Sequence, residues 1–256
     1  MGAIGNGLAL NKTLIPYSST FFTFFDYMKP AVRLSALMKL NHLFLFTHDS
    51  IYVGEDGPTH QPIEHLNAMR LIPGIYAFRP ANDIETAFAY LYFLKRMNGP
   101  VAIIATRQKV SDTVFIDFKD REKLFSQFEK GAYVFYETKP GEKPEIILAG
   151  SGSELSTAME TAKLLEEKQK KNVRVVSIPC LELFSEAGPD YKDEIFIPGI
   201  PVVMIEAGSH RGVKLFYDPR IQIIDIDTFG LSAPDIKLSE YFGFHSEKIC
   251  EKIKIQ

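Results

Sequence analysis

Short, continuously apolar runs alternate with amphipathic stretches along most of this chain. "HLFLFT" (His42 to Thr47) and "VAIIAT" (Val101 to Thr106) carry β-branched or aromatic residues throughout. Such runs are expected of strands buried on both faces of a parallel sheet. Between them, Ile84, Ala87, Phe88, Leu91 and Leu94 recur at helical spacing in "DIETAFAYLYFLKR". That spacing predicts an amphipathic helix with Asp83 as its N-cap. "PAVRLSALMKL" predicts another helix, starting at Pro30, where proline suits a first turn. Strand, loop, helix, strand is the rhythm of a βαβ sheet. From Ser111 to Lys143 the rhythm lapses into a charged stretch ending "ETKPGEKPE", read as a linker. It then restarts. "EIILAG", "VRVVSIP", "PVVMIEAG" and "IQIIDID" predict strands, and "SELSTAMETAKLLEEKQKK" a helix. "KLSEYFG" and "SEKICEKIK" predict two short terminal helices. The expected fold is α/β, as two successive domains with mostly parallel sheets: residues 1–110, a linker over 111–143, and 144–256.

Composition narrows the function classes. The 256 residues hold 29 Lys and Arg against 32 Asp and Glu, a net charge of −3. This is no basic footprint for nucleic acid. Cys180 and Cys250 are the two cysteines and lie far apart. A disulfide framework is therefore not expected, and a reducing cytoplasm is. No apolar run approaches the roughly 20 residues of a membrane span.

Three stretches carry candidate chemistry. "THDSIYVGEDGPTHQP", Thr47 to Pro62, follows a predicted buried strand and holds two His and three acids in sixteen residues. Ligands of parallel α/β sheets bind outside the carboxyl ends of the strands. His48 stands at such an end, and Gly54, Gly57 and Pro58 allow the turns that would aim Asp56 and His60 inward. A solvated surface loop accounts for any one of these residues, but less readily for the cluster. The His spacing is not that of a helical zinc motif. "STFFTFFDYMKP" places four Phe and a Tyr within seven positions. As a helical turn it sets Phe21, Phe24 and Tyr27 on one face and Phe22 and Phe25 one step behind; one aromatic face packs inward and the other is left for a flat heteroaromatic ligand or a partner subunit. In "TRQ", Arg107 ends a predicted strand, where a guanidinium clamps phosphate or forms a surface ion pair. "LAGSGSE" is a weak dinucleotide signal, and a helix cap by Ser151 or Ser153 explains it better.

"THDSI", "GEDGPTHQP" and "TRQ", with "IPYSSTFFTFFDYMKPAVR" upstream and "IEAG" and "DTFGLSAP" near the end, resemble transketolase over essentially the whole chain. The resemblance implies a pyrimidine-binding domain, N-terminally truncated, followed by the C-terminal domain. Transketolases of the pentose phosphate pathway move a two-carbon ketol unit between sugar phosphates, using thiamine diphosphate and a divalent metal, magnesium or calcium. By the family motif, Phe24 stacks on the cofactor's aminopyrimidine ring, and Phe21 and Tyr27 complete the aromatic pocket. His60 lies over the reacting carbon. Asp56 recognises the donor's hydroxyl beside the cleaved bond, and His48 and Arg107 reach the sugar's phosphate end. The complete enzyme is expected to be a cytoplasmic homodimer with sites between subunits.

The departures from the family pattern are as informative. The family's Glu, in "EFGM", falls immediately before Met1 and is not among these residues. That Glu bonds the pyrimidine nitrogen. No Gly-Asp-Gly segment with a suitably spaced Asn occurs, so the metal ligands are not in this chain. Tyr52 stands where the family usually has Gly, and "NKT" at Asn11 to Thr13 replaces "HGG". The chain is therefore expected to be one part of a transketolase, inactive alone, completed by a missing N-terminal part or another subunit. The alternative of a different class is a non-catalytic interaction subunit. Among thiamine enzymes, deoxyxylulose-phosphate synthase and the β subunits of 2-oxo acid dehydrogenases share the layout, and dihydroxyacetone synthase shares much of the loop.

Overall fold

The structure, a computed structural model, describes residues 1–111, 114, 120–211 and 221–254. The first domain is built on four parallel strands: β1 (Tyr17–Phe21), β2 (Leu43–Thr47), β3 (Tyr76–Phe78) and β4 (Val101–Ala105), in the order β1-β2-β4-β3. Helices α1 (Gly2–Leu10), α2 (Phe25–Leu37), α3 (His65–Arg70) and α4 (Asp83–Arg96) cover it. A core of Phe22, Phe25, Phe44, Phe46, Met69 and Ile104 lies between α2, α3 and one sheet face. Tyr92, Phe93, Phe78 and Phe128 pack on the other.

The second domain is a five-stranded sheet, β5 (Tyr133–Glu137), β6 (Ile146–Gly150), β7 (Val173–Ser177), β8 (Val202–Ile205) and β9 (Ile221–Ile224). The order is β5-β7-β6-β8-β9, with only the β5–β7 pair antiparallel. Its described helices are α6 (Glu154–Gln169), α7 (Leu181–Glu186), α8 (Pro189–Ile195), α9 (Asp235–Phe242) and α10 (Ser246–Lys252). The stretch 111–143, expected as a linker, carries a helix α5 (Arg121–Phe128) and the edge strand β5. Residues 112, 113 and 115–119 of it lie outside the described residues. Phe125 and Phe128 of α5 bury themselves against Phe88 of α4, which ties this stretch to the first domain.

Four local expectations are corrected. Helix α2 begins at Phe25, not Pro30, which sits inside it. Burial of Phe22 and Phe25 draws the preceding turn into the helix. The N-cap of α4 is Asn82, whose side chain accepts from the Glu85 N–H at 2.8 Å. The stripe through Ala87, Leu91 and Leu94 faces outward, and Glu85, Ala89, Tyr92 and Phe93 face inward. The phase is set by Glu85, whose buried carboxylate accepts from Tyr133 Oη, Ser177 Oγ and the Ala81 N–H. At α6, Ser153 holds the N-cap position without a capping bond. Its hydroxyl donates instead to Glu154 Oε1 at 2.7 Å.

The hydrophobic pattern gives no signal for α1, because Gly2, Gly5 and Gly7 lower its helix propensity. Packing explains the glycine at position 5: a Cβ there would fall 2.3 Å from the His42 ring. Lys12, where the family has the first Gly of "HGG", takes a left-handed φ of 62°. The fully buried His42 ring donates from Nδ1 to Asn6 Oδ1 at 2.8 Å and pairs through Nε2 with Ser18 Oγ at 2.9 Å. It thus joins α1, β1 and β2. Burial lowers its pKa from 6.5 to about 4. Below pH 6.5 the unfolded chain therefore takes up a proton that the folded chain refuses until about pH 4. This contribution to stability is complete above 6.5 and is lost as the pH falls toward 4. Urea midpoints of the wild type are expected to fall more steeply over that interval than those of His42→Gln. Parallel slopes would remove His42 from the account.

Candidate active site

The sheet register builds the site. Phe21, Thr47 and Ala105 are paired neighbours at the carboxyl ends of β1, β2 and β4. Phe21, His48 and Arg107 therefore emerge along one edge, where parallel α/β sheets hold ligands.

After Phe21 the chain makes a tight turn, Phe22–Phe24, into α2. Phe22 and Phe25 point into the core, while Phe24 is 36% and Tyr27 84% exposed. The Phe21 and Phe24 rings lie nearly parallel at 6.2 Å, and Phe24 and Tyr27 are 6.1 Å apart. Phe24, Tyr27, Thr20, Pro30 and Leu34, with the start of α1, line a cavity of about 540 Å³. No acidic or basic side chain lines it. It suits a flat, weakly polar ring and brings no charged side chain to a diphosphate.

The loop from Thr47 to Pro62 closes over the same rings. His48 has φ 62°, a left-handed conformation rarely adopted by a residue with a side chain. Its ring stacks on Phe21 at 3.6 Å, and Nδ1 bonds with Thr47 Oγ1 at 2.9 Å. Burial, then the charge of Arg107, holds the His48 pKa below its usual value, against Asp56 and Asp49. His60 meets Phe24 edge-on at 5.7 Å, and its Nδ1 bonds with Thr59 Oγ1 at 2.9 Å. Asp56 and Arg107 are exposed. Tyr27, Phe24, Phe21 and His48 thus form one run of ring contacts, with His60 joined at Phe24.

The second domain holds this loop in place. Gln61 Nε2 donates to the Gly54 and Leu231 carbonyls, both at 2.9 Å. Ser232 Oγ donates to the Glu55 carbonyl at 2.6 Å. The left-handed turns fall at Gly54 and Gly57, with φ of 84° and 79°, so Tyr52 needs no unusual backbone angle. Its side chain turns away from the rings, and its hydroxyl donates to the Phe244 carbonyl at 3.3 Å.

Comparison with known proteins decides the family. The description "Transketolase, pyrimidine binding domain" matches residues 1–113, and "Transketolase-like TK C-terminal domain" matches residues 131–245. The transketolase of Aquifex aeolicus is 42% identical over 99% of this chain and 36% of its own length. The chain belongs to the transketolase family. It spans between about a third and a half of the length of the curated transketolases it matches, 34–48%. Crystalline transketolase from Campylobacter jejuni is 38% identical, with a TM-score of 0.83 over 98% of this chain and 37% of that one. A structure described as the inactive β4 tetramer of a split-gene transketolase shares the fold, with a TM-score of 0.74 at 23% identity. It is covered over 78% of its length.

Sequence reasoning missed the buried charges that lock this transketolase fold together behind the loop. Arg79, just past β3, is 1% exposed. Its Nε donates to Asp49 Oδ2 at 2.8 Å, and its Nη1 donates to Glu154 Oε2 and to the Ser151 carbonyl. Arg79 therefore clamps the residue next to His48 onto the start of α6. Nearby, Arg70 forms a two-pronged pair with Glu206 at 2.7 and 2.8 Å, and His210 Nε2 lies 2.9 Å from Glu206. Burial would raise the Glu206 carboxyl, but Arg70 and His210 hold it well below the usual range. The available signals were "FRP" (Phe78 to Pro80) and the Glu of "IEAG": charged residues beside apolar runs, too common to single out.

Proposed function

We propose that this chain supplies the ring pocket and the substrate loop of a transketolase active site, and that residues outside these 256 supply the rest. The carrying observation is the unbroken run of ring contacts from Tyr27 to His48 with His60 joined at Phe24. It sets an exposed aromatic face directly beside the groups suited to proton transfer and anion binding. Phe24, bordered by Phe21 and Tyr27, would hold the aminopyrimidine ring of thiamine diphosphate. When bound, the cofactor supplies the carbon nucleophile for ketol transfer, while the protein orients the reactants. His60, edge-on to Phe24, would hold and move a proton beside the ring pocket. Asp56 accepts from the donor sugar's hydroxyl. His48 and Arg107 bind the sugar's phosphate end, where a guanidinium matches phosphate geometry. The residues fit the ring and not the diphosphate. We assign the divalent metal that accompanies the diphosphate, and the acid that bonds the pyrimidine nitrogen, to a second chain or a further segment in a dimeric assembly.

The 256-residue chain alone, given thiamine diphosphate and magnesium, is expected to transfer no ketol unit from xylulose 5-phosphate to ribose 5-phosphate. Turnover above a no-protein control would contradict the division of the site. It would show that these residues complete the chemistry by themselves.

A further inference from the structure

Asp26, Glu64 and His65 converge where the first turn of α2 meets the start of α3. Each offers one ligand atom, and the three atoms lie within 4.8 Å of one another. His65 is 6% exposed, whereas Asp26 and Glu64 are 64% and 60% exposed. Neither ring nitrogen of His65 makes a hydrogen bond among the described residues. Nε2 nevertheless lies 3.3 Å from Asp26 Oδ2, and Nδ1 lies 3.8 Å from Glu64 Oε2. A buried imidazole without hydrogen bonds is costly, and this one is aimed at two carboxylates. Two ligands of a tetrahedral zinc ion at ordinary Zn–N and Zn–O distances stand roughly 3.3–3.6 Å apart. The His65–Asp26 separation already meets that span.

We propose that Asp26, Glu64 and His65 form a binding site for a first-row divalent metal of the zinc class. One imidazole with two carboxylates favours zinc, manganese or iron over magnesium and calcium, which prefer all-oxygen sets. With three protein ligands and both carboxylates at the surface, the remaining coordination position opens to solvent. The ion would pin α2 to α3 and so brace the turn that carries Phe24 and Tyr27. The inference does not rest on the transketolase chemistry, because it needs only these side chains.

The test is calorimetric titration of the metal-stripped full chain with zinc ion, beside His65→Gln and Asp26→Asn. The wild type is expected to bind one ion per chain. Both variants should bind on the order of tenfold more weakly or worse. Zinc should raise the melting temperature of the wild type and not of the variants. Asp26→Asn alters an exposed side chain, so it tests the site even if His65→Gln unfolds. Absence of zinc binding would overturn the proposal. So would equal affinity in the wild type and Asp26→Asn, which would place the ion elsewhere, for instance at the surface pair His245 and Glu247.

Discussion

Replacing His60 by alanine in the completed enzyme is expected to lower kcat by about 10²–10⁴-fold, the usual worth of a positioned proton-transfer group. Cofactor affinity should change little. His60 meets Phe24 edge-on and only half-buried, so it borders the ring pocket without filling it. The companion variants separate the roles. Asp56→Ala should slow turnover with the donor sugar, through loss of a carboxylate partner for its hydroxyl. Arg107→Ala should chiefly raise KM for phosphorylated sugars, because Arg107 is exposed at the mouth and reaches the site by its charge. Steady-state kinetics on the three variants check these outcomes. Unchanged kinetics in any of them would remove the role assigned to that residue.

Arg79→Met should destabilise the fold by about 3–5 kcal/mol, because it strands Asp49 and Glu154 as unpaired buried carboxylates. In a chain of this length that amounts to on the order of 10 °C in Tm. The same change should loosen His48, whose left-handed backbone is held between the Phe21 stack and the Asp49–Arg79 pair. Adding Asp49→Asn and Glu154→Gln to Arg79→Met should recover part of the loss, since the cost lies in uncompensated charge. Denaturant unfolding of the single and triple variants tests this. A single variant within about 1 kcal/mol of wild type, the usual range for exposed pairs, would show that Arg79 does not couple the domains.

The legible part of this chain was the part governed by short-range rules. Continuous apolar runs gave β2, β4 and β6 through β9 close to their observed positions, because strands buried on both faces admit little else. The aromatic run was also readable. Its two faces were visible in the spacing, and the structure adds which one turns inward: Phe22 and Phe25 are buried, and Phe24 and Tyr27 face outward. What escaped was decided by partners distant in sequence. Helix α1 presses against α2 at Gly2 and against His42 at Gly5, a packing gain that propensity does not register. The phase of α4 is set by Glu85, whose partners lie 48 and 92 residues away. Strand β3 is three residues long and, among the described residues, pairs only with β4. It delivers Arg79 to both domains, yet nothing in "YAFRP" announces it. Tyr52 stands where the family usually has Gly, and its place against Phe244 depends on a residue 192 positions onward.

The account stands most directly on a fusion experiment. This chain would be joined to the diphosphate-binding portion of a transketolase relative, so that assembly is not limiting, and assayed for ketol transfer from xylulose 5-phosphate to ribose 5-phosphate. Transfer is predicted to appear in the fusion, to be absent from either part alone, and to be lost with Phe24→Ala. A folded fusion that binds thiamine diphosphate yet transfers nothing would contradict the claim that these rings and this loop are half of a working site.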